Sequence, residues 1–228
     1  PMHFLLLVVI FLVLLLGPGL WVRRVISRYQ RPADRYGGTG SQLARHLLDE
    51  LGLQAVKVEE TEAGDHYDPN EKAVRLTPGN YKGRSLTAVT IAAHEVGHAL
   101  QDAQGFAPLR ARTRMVAWSR QAERLGAGLL MASPLIAIAT RAPSVSLLVA
   151  LGGLLSLGSA TLIHLVTLPT EFDASFGRAM PMLKEGNYLY EQDYPHARRL
   201  LRAAALTYVS ASLMSLLNIA RWWAILRR

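Results

Sequence analysis

Five consecutive residues, His94 to His98, have types and a spacing that suit metal-assisted hydrolysis. On an α-helix, positions four apart lie on the same face, so His94 and His98 can offer two imidazole nitrogens to one metal ion. Glu95 lies one step round the helix, where it can reach a water bound to that ion. Gly97 has no side chain to block a substrate or a facing helix close to the metal. The run therefore supplies two ligands and one general base.

This spacing is the HExxH arrangement of zinc peptidases. The alternative is a pair of buried structural histidines, each hydrogen-bonded to a carbonyl. A catalytic zinc site usually has three protein ligands and one open position for water. The extended pattern HExxHxxGxxH would supply the third histidine nearby, but the corresponding positions hold Gln101 and Gln104. The third ligand must therefore come from elsewhere in the chain.

The best distant source of a third ligand is the run from Leu168 to Ser175, which follows an apolar stretch. We expect Glu171 to open a helix after Pro169 where the chain leaves the membrane, which suits a ligand for a cytoplasmic metal helix. The same carboxylate could instead stabilise a helix amino terminus through the helix dipole. Spacing alone leaves both interpretations open.

Composition indicates a membrane protein. Half of the 228 residues are hydrophobic, and the mean hydropathy is +0.17. The net charge is +8, but the arginines cluster beside apolar runs. Anionic lipid headgroups and the positive-inside rule explain them better than nucleic acid, for which no aromatic-rich strand or zinc knuckle is present. The absence of cysteine excludes disulfides and leaves His, Asp and Glu as zinc ligands.

Apolar stretches divide the chain into membrane and polar parts. Residues 1–22 predict an amino-terminal transmembrane anchor, with the chain in the cytoplasm after it and a kink or early helix end at its Gly-Pro-Gly. Residues 125–169 predict a transmembrane helical hairpin with a tight turn at 141–144. Residues 203–228 predict a fourth span or a helix packed against the others. Arginines near both of its ends prevent an assignment of its direction.

The polar part, residues 23–124, is predicted to carry the metal helix. A capping box at 39–42 begins a first helix. Strands predicted at 53–59 and 73–77 form a small hairpin beside the metal helix. Its edge could accept an extended peptide as a further strand, or the sheet could simply cover the helix. The DHYDP run between the strands has the composition of a turn.

The metal helix itself is predicted from about Ser85 to Gly105. After it, arginines interleaved with apolar residues around Trp118 predict a basic amphipathic segment on the inner membrane surface, with a solvated charged face as the alternative. These arginines are Arg110, Arg112, Arg114, Arg120 and Arg124. Farther along, His164 is expected to be a buried polar helix contact. Residues 170–202 are predicted to hold the third-ligand helix and a further cytoplasmic segment.

Four runs carry a family resemblance: HEVGHALQ at 94–101, DHYDP at 65–69, LPTEFDAS at 168–175 and AAALTYVSA at 203–211. They resemble the YugP-like neutral zinc metallopeptidases of bacterial membranes, over nearly the whole chain. The resemblance implies Zn²⁺ as cofactor and a protein or peptide substrate. We therefore expect a mainly α, multi-span membrane protein. A zincin-like part, with the HExxH helix and a small β-hairpin, would face the cytoplasm from the inner membrane.

In this family, and in the similar HtpX-type peptidases, the glutamate of the second motif is the third zinc ligand, which implies Glu171. The HtpX-like pattern has an aspartate four residues later, where it steadies a zinc-bound histidine. This chain has Ser175 there, which can still make one hydrogen bond. Asp102, one turn beyond His98 on the same face, is the candidate substitute.

The sequence thus predicts a membrane-bound zinc endopeptidase of gluzincin type that cleaves cytoplasmic or juxtamembrane segments. Its predicted metal ligands are His94, His98 and Glu171, and its predicted general base is Glu95. His66 or Tyr67 could donate a hydrogen bond to the oxyanion of the transition state, unless both simply belong to a surface turn.

Two other functions compete with this prediction. A non-catalytic membrane scaffold with a structural zinc would need a closed site with four ligands, and its fourth would be His66 or Asp173. Binding of anionic lipid headgroups or nucleic acid through the arginines would require no metal. The intact glutamate of HExxH favours the peptidase, because a purely structural site has no use for a base. The sequence leaves oligomerisation open.

Overall fold

The computed structural model describes residues 2–226 of the chain, and the side chains of residues 3–214. The protein is mainly helical with one small sheet. Its helices are α1 (Met2–Arg28), α2 (Gly40–Glu50), α3 (Pro78–Tyr81), α4 (Leu86–Ala103), α5 (Ala107–Thr140), α6 (Pro143–Phe172), α7 (Met180–Glu185) and α8 (Tyr194–Leu226). Its strands are β1 (Lys57–Glu60), β2 (His66–Asp68) and β3 (Ala73–Leu76). A π-helical segment (Asp173–Ala179) joins α6 to α7, and a 3₁₀ turn (Glu191–Asp193) precedes α8.

The chain folds as two compact units. The first, here called the long-helix unit, comprises Pro1–Leu20, Ala111–Thr167 and Thr207–Arg228. The second, here called the sheet unit, comprises Trp21–Arg110 and Leu168–Leu206. All the elements that carry the HExxH run and the sheet belong to the second unit, so the two are described separately.

Three helices in the described part are long and apolar enough to cross a membrane, judged by length and composition: His3–Arg28, Ala107–Thr140 and Pro143–Glu185. Their apolar side chains are widely exposed, as at Leu148 with 68%, which suits contact with lipid rather than water. The helix α1 continues through the Gly-Pro-Gly where the sequence predicted a kink or an early end. The turn predicted after Thr140 is present, and Arg141 adopts a positive φ there.

The fourth predicted span falls on α8, which is continuous from Tyr194 to Leu226. From residue 215 onward its side chains lie outside the described part of the chain. Two helices of the long-helix unit approach closely where Gly126 of α5 meets Gly153 of α6. A Cβ at either position would lie within 2.9 Å of the carbonyl oxygen of the other. Such small-residue contacts are typical of helices packed in membranes.

Polar side chains also meet inside the long-helix unit. His164 is buried, stacks on Tyr208 with ring centroids 5.9 Å apart and contacts Ser119 Oγ at 3.3 Å. This confirms the prediction of a buried polar helix contact. Arg112 differs from its prediction as a surface cation, because it is buried and its guanidinium lies 4.8 Å from the centroid of the Tyr208 ring.

The helix α4 lies at the centre of the sheet unit, as expected from its nearly unbroken run of small and apolar residues. Ser85 caps its amino end by accepting a hydrogen bond from the Ala88 amide, and Gly105 follows its last turn with φ of +67°. Both predicted ends are thereby confirmed. A Cβ on Gly40 would lie 2.8 Å from the Ala88 carbonyl oxygen, so this glycine allows α2 to pack closely on α4.

The sheet differs from the prediction in its topology. Its order is β1-β3-β2, with β1 parallel to β3 and β2 antiparallel to β3. The predicted hairpin of the first and last strands is therefore wrong, and the antiparallel pair uses β2, which was interpreted as a turn. Asp65 explains part of this: its carboxylate accepts hydrogen bonds from the amide and hydroxyl of Thr77 and from the Asn80 side chain. These bonds hold the start of β2 beside the end of β3.

Glu171 does not open a new helix, as the sequence predicted. It lies in the last turn of α6, two residues after Pro169, which the helix accommodates. The π-helical segment begins only at Asp173, and α7 follows without a break. Insertions of π-helix are common at functional sites because they change which side chains share a face.

Candidate metal centre

Three side chains with metal-binding atoms converge in the sheet unit. One ligand atom from each of His94, His98 and Glu171 lies within 4.8 Å of the other two. The Oε2 atom of Glu171 is 3.4 Å from His94 Nε2 and 3.1 Å from His98 Nε2. The two imidazole rings are nearly perpendicular, at 81°, and all three residues are at most 3% exposed. The last turn of α6 and two successive turns of α4 build this cluster.

The outer nitrogen of His94 is held by a hydroxyl. Ser175 Oγ lies 2.9 Å from His94 Nδ1 and donates to the carbonyl oxygen of Leu201 at 2.8 Å. A hydroxyl has only one proton, so the contact with His94 requires Nδ1–H as the donor. This leaves Nε2 of His94 with a lone pair that points at the cluster.

The outer nitrogen of His98 is held by an amide. Gln101 donates through Nε2 to the Thr170 carbonyl oxygen at 3.0 Å and to Asp173 Oδ2 at 2.7 Å. These acceptors fix the amide orientation, so its Oε1 accepts from His98 Nδ1 at 2.9 Å. Arg178 Nε donates to the same Asp173 oxygen at 2.8 Å. His98 therefore presents its Nε2 lone pair in the same way as His94.

The chemistry of these three groups fits a zinc ion. Two nitrogen lone pairs and a carboxylate oxygen that face one another repel unless a cation or a proton lies between them. Ligand atoms roughly 2.0–2.1 Å from a tetrahedral zinc lie about 3.3 Å from one another, and the two separations here are 3.1 and 3.4 Å. The ligand set is also one that zinc commonly takes.

A glycine brings the two halves of the site together. A Cβ on Gly97 would lie 2.6 Å from the carbonyl oxygen of Ala174, which belongs to the π-helical segment. Even an alanine would thus push this segment away from α4, together with Ser175. The sequence predicted that Gly97 leaves room for a substrate or a facing helix, and the second of these is confirmed.

Glu95 lies in the same helix between the two histidines and is 6% exposed. The carboxylate of Asp102 was predicted to lie beside a zinc-binding histidine, but it contacts other residues. It accepts from Tyr67 Oη at 2.7 Å and pairs with Lys72. Its prediction as the substitute that steadies a ligand is therefore wrong, and Gln101 contacts His98 instead.

The residues of the DHYDP run tie β2 in place. Tyr67 is buried, and burial together with the hydrogen bond to Asp102 raises the pKa of its hydroxyl. Its proton is thus donated to Asp102 in the structure. His66 Nδ1 contacts the Gly64 carbonyl oxygen at 2.7 Å. Asp68 accepts from two backbone amides and from Arg75, and its pKa is lowered because these bonds outweigh the effect of burial.

Among the residues that the structure describes, neither His66 nor Asp173 joins the three-residue cluster. Asp173 is instead occupied by Gln101 and Arg178. Sequence reasoning noted Gln101 only as a departure from the extended pattern HExxHxxGxxH and thus missed its contact with His98. The available signal was its position three residues after His98, where neighbouring helix side chains meet.

Comparisons with known proteins agree with this geometry. A family profile described as "Putative neutral zinc metallopeptidase" matches residues 4–227. A protein named "Putative membrane protease YugP", from Bacillus subtilis (strain 168), is 34% identical in an alignment of 213 residues that covers 91% of this chain and 91% of the relative. No solved structure matches the chain.

Proposed function

This chain belongs to the family of neutral zinc metallopeptidases, and on that premise we propose that it is a membrane-bound endopeptidase of gluzincin type. The observation that carries the proposal is the convergence of His94, His98 and Glu171 in a buried cluster. Both imidazoles have their outer nitrogens engaged as donors, so the inner nitrogen of each neutral imidazole faces the cluster and is suited to bind a metal.

We assign His94, His98 and Glu171 as the protein ligands of one zinc ion. Zinc in such a site lowers the pKa of a water and polarises the carbonyl of a bound peptide. Ser175 and Gln101 orient the two imidazoles and fix their tautomers. Precise orientation matters because the reacting groups must meet within a few tenths of an ångström.

Glu95 is the proposed general base. It takes a proton from the attacking water as the water oxygen bonds to the carbonyl carbon of the peptide. When the C–N bond breaks, Glu95 gives this proton to the leaving amine nitrogen. Its position on α4 beside the proposed ligand His94 supports the assignment. The products are one carboxylic acid, which carries the second proton of the water until it ionises, and one amine, so the atoms balance.

A substrate segment in extended form fits the outer edge of β2. This strand is at the edge of the sheet, and its Tyr67 is hydrogen-bonded to Asp102 in the last turns of α4. A peptide added to that edge pairs with backbone groups and runs beside the HExxH helix. His66, at the start of β2, is the proposed donor to the oxyanion, because the hydroxyl of Tyr67 already donates its proton to Asp102.

We place the protein in the inner membrane with several spans and with the sheet unit in the cytoplasm. The three membrane-length helices and the name of the relative support this assignment. Cytoplasmic and juxtamembrane protein segments are then the accessible substrates. Four exposed arginines of the predicted basic segment are proposed to contact anionic headgroups. They are Arg110, Arg114, Arg120 and Arg124.

The substitution Glu95→Gln tests this function directly. The variant retains about one zinc per chain, because no ligand is changed. Its cleavage of a casein substrate falls by at least about 100-fold, because the base is lost. The matched control Glu71→Gln changes an exposed glutamate and should cleave like the parent. Undiminished cleavage by Glu95→Gln with zinc bound would refute the assignment.

A further inference from the structure

A basic groove lies between α7 and the first turns of α8, within the sheet unit. Four cations line this groove: Lys184, Arg198, Arg199 and Arg202. Its volume is about 390 Å³, and Glu191 is the acidic residue at its wall. An adjoining hollow of about 460 Å³ shares Lys184 and Arg198 and adds Glu185. Cations therefore outnumber acids along the whole concave surface.

These four cations have no acidic partner within the described part of the chain, and all four are exposed. Six other cations of the sheet unit each pair with a carboxylate: Arg35, Arg45, Lys72, Arg75, Lys82 and Arg178. Arg198 and Arg202 also lie four residues apart on one helix face, where like charges repel. An external anion would relieve that repulsion.

The groove combines this charge with an apolar floor. Met180 is buried beneath both hollows, and Phe176 and Pro181 line the second. Guanidinium groups bind phosphate oxygens in pairs, whereas the apolar floor suits a glycerol backbone and the start of an acyl chain. Free phosphate would use only the charged rim, so the groove fits an amphiphile better than an inorganic ion.

The position of the groove along the chain favours lipid over other polyanions. Arg202 is the last charged residue before the uncharged run 203–220. Arginines at the end of a membrane-length apolar run lie at the level of the headgroups, where anionic lipids attract them. Nucleic acid would need a longer basic stripe than one concave surface of this size.

We propose that this groove is a binding site for the headgroup of an anionic phospholipid, with Arg198 and Arg202 on the phosphate and Lys184 on the opposite wall. The site is separate from the cluster at His94 and does not depend on the proposed peptidase function. Phosphatidylglycerol is the probe that matches this chemistry.

The test uses the full-length chain in a neutral detergent. Phosphatidylglycerol and phosphatidylcholine of equal acyl length are titrated, and retained lipid is counted by native mass spectrometry. The double variant Arg198→Gln/Arg202→Gln is compared with Arg23→Gln/Arg24→Gln. The control removes the same charge from exposed arginines beside another apolar helix. Lys184→Gln is measured as well, so that the result does not depend on one variant folding.

We expect the parent and the control to prefer phosphatidylglycerol by roughly tenfold or more, and each groove variant to retain about one phosphatidylglycerol molecule fewer per chain than the control. Equal losses of phosphatidylglycerol from the groove and control variants would overturn the proposal, since they would show that any removal of positive charge from the protein has the same effect. So would equal retention of the two lipids by the parent. Displacement of the lipid by equimolar inorganic phosphate would indicate a phosphate site, and tighter binding of poly-glutamate would indicate an acidic protein partner. Either outcome would overturn the lipid assignment.

Discussion

His94 and His98 occupy successive turns of one helix, but their outer nitrogens are held by different chemistry. His94 donates to the Ser175 hydroxyl, which donates in turn to the backbone carbonyl oxygen of Leu201, so neither supporting group carries a charge. His98 donates to an amide that is held by the carboxylate of Asp173, which Arg178 holds in turn. The support of His98 thus ends in the charged carboxylate of Asp173, which contacts Gln101. Within the described contacts, the support of His94 at Nδ1 ends in the uncharged carbonyl group of Leu201.

The difference shows what a metal-binding imidazole requires from its neighbours. Ser175 and Gln101 each supply an acceptor 2.9 Å from a histidine Nδ1. Each also donates its own hydrogens to other acceptors. A fixed tautomer is therefore common to both, whereas a charged partner is not. Hydrogen bonds that involve an ionised group are roughly twice as strong as neutral ones. We thus expect the Gln101 support to matter more than the Ser175 support.

Glu171 faces both histidines, so the loss of its carboxylate should have the largest effect on zinc affinity. This effect should not depend on how either histidine is supported. Glu171→Gln preserves shape but removes the negative ligand. We expect zinc affinity to fall by more than the roughly 10–100-fold that outer contacts cost. Metal analysis after dialysis against a weak chelator measures this. Full zinc retention by the variant would rule out Glu171 as a ligand.

Gln101→Leu should have the next largest effect. It leaves His98 Nδ1–H without its acceptor and also strips a donor from Asp173 and from the Thr170 carbonyl oxygen. Zinc affinity should fall by roughly 10–100-fold, as measured by competition with a chromogenic chelator. Gln30→Leu, at an exposed position, is the control and should bind zinc like the parent. An unchanged affinity for Gln101→Leu would show that His98 needs no such support.

Ser175→Ala tests the support of His94, as Gln101→Leu tests the support of His98. It removes a neutral acceptor from His94 and a donor from the Leu201 carbonyl oxygen. We expect a loss of zinc affinity of about tenfold or less, smaller than for Gln101→Leu because no charged group is involved. Ser27→Ala is the control at an exposed serine. A greater loss at Ser175 than at Gln101 would reverse the proposed order.

A variant outside both supports should weaken the sheet unit without affecting zinc. Asp193 accepts from Arg35 and Tyr36, and its pKa is lowered because these bonds outweigh the effect of burial. Asp193→Asn should lower the melting temperature and leave zinc affinity unchanged.

The contribution of Asp193 to stability also depends on pH in a defined direction. A carboxyl with a lowered pKa in the folded state stabilises above its unfolded pKa of about 3.9, and this stabilisation is lost as the pH falls through the folded value. The difference in melting temperature between the parent and Asp193→Asn should therefore stay constant down to about pH 5 and shrink as the pH falls further through the folded pKa. A difference in melting temperature that does not shrink below about pH 5 would contradict the role of the ionised carboxylate.

Local patterns in the sequence were enough to predict the start of α2, both ends of α4 and the shared face of the two histidines. The capping box at Thr39 and both ends of α4 follow from side-chain capping and glycine, which act over a few residues. His94 and His98 share a face through helix periodicity alone. Glu171 was one of two open interpretations from the sequence itself, and the family resemblance favoured it as a ligand, because no local rule relates it to residues more than seventy positions earlier.

The errors arose where tertiary contacts decide the structure. β2 was interpreted as a turn because its DHYDP composition is typical of turns, whereas the bonds of Asp65 and Tyr67 to distant residues hold it in the sheet. Pro169 suggested a helix boundary, but the helix continues through it. Asp102 was expected beside His98 from charge and spacing. In the fold it faces Tyr67 and Lys72, and an uncharged amide takes that place.

X-ray absorption at the zinc edge of the full-length chain tests the central claim most directly, because it reads the atoms around the metal. We predict a first shell of two imidazoles at roughly 2.0–2.1 Å with carboxylate and water oxygens. In Glu171→Gln the two imidazoles should persist in whatever zinc remains bound. A shell with a third imidazole, as a closed site with His66 would give, or a shell with fewer than two imidazoles, would contradict the account.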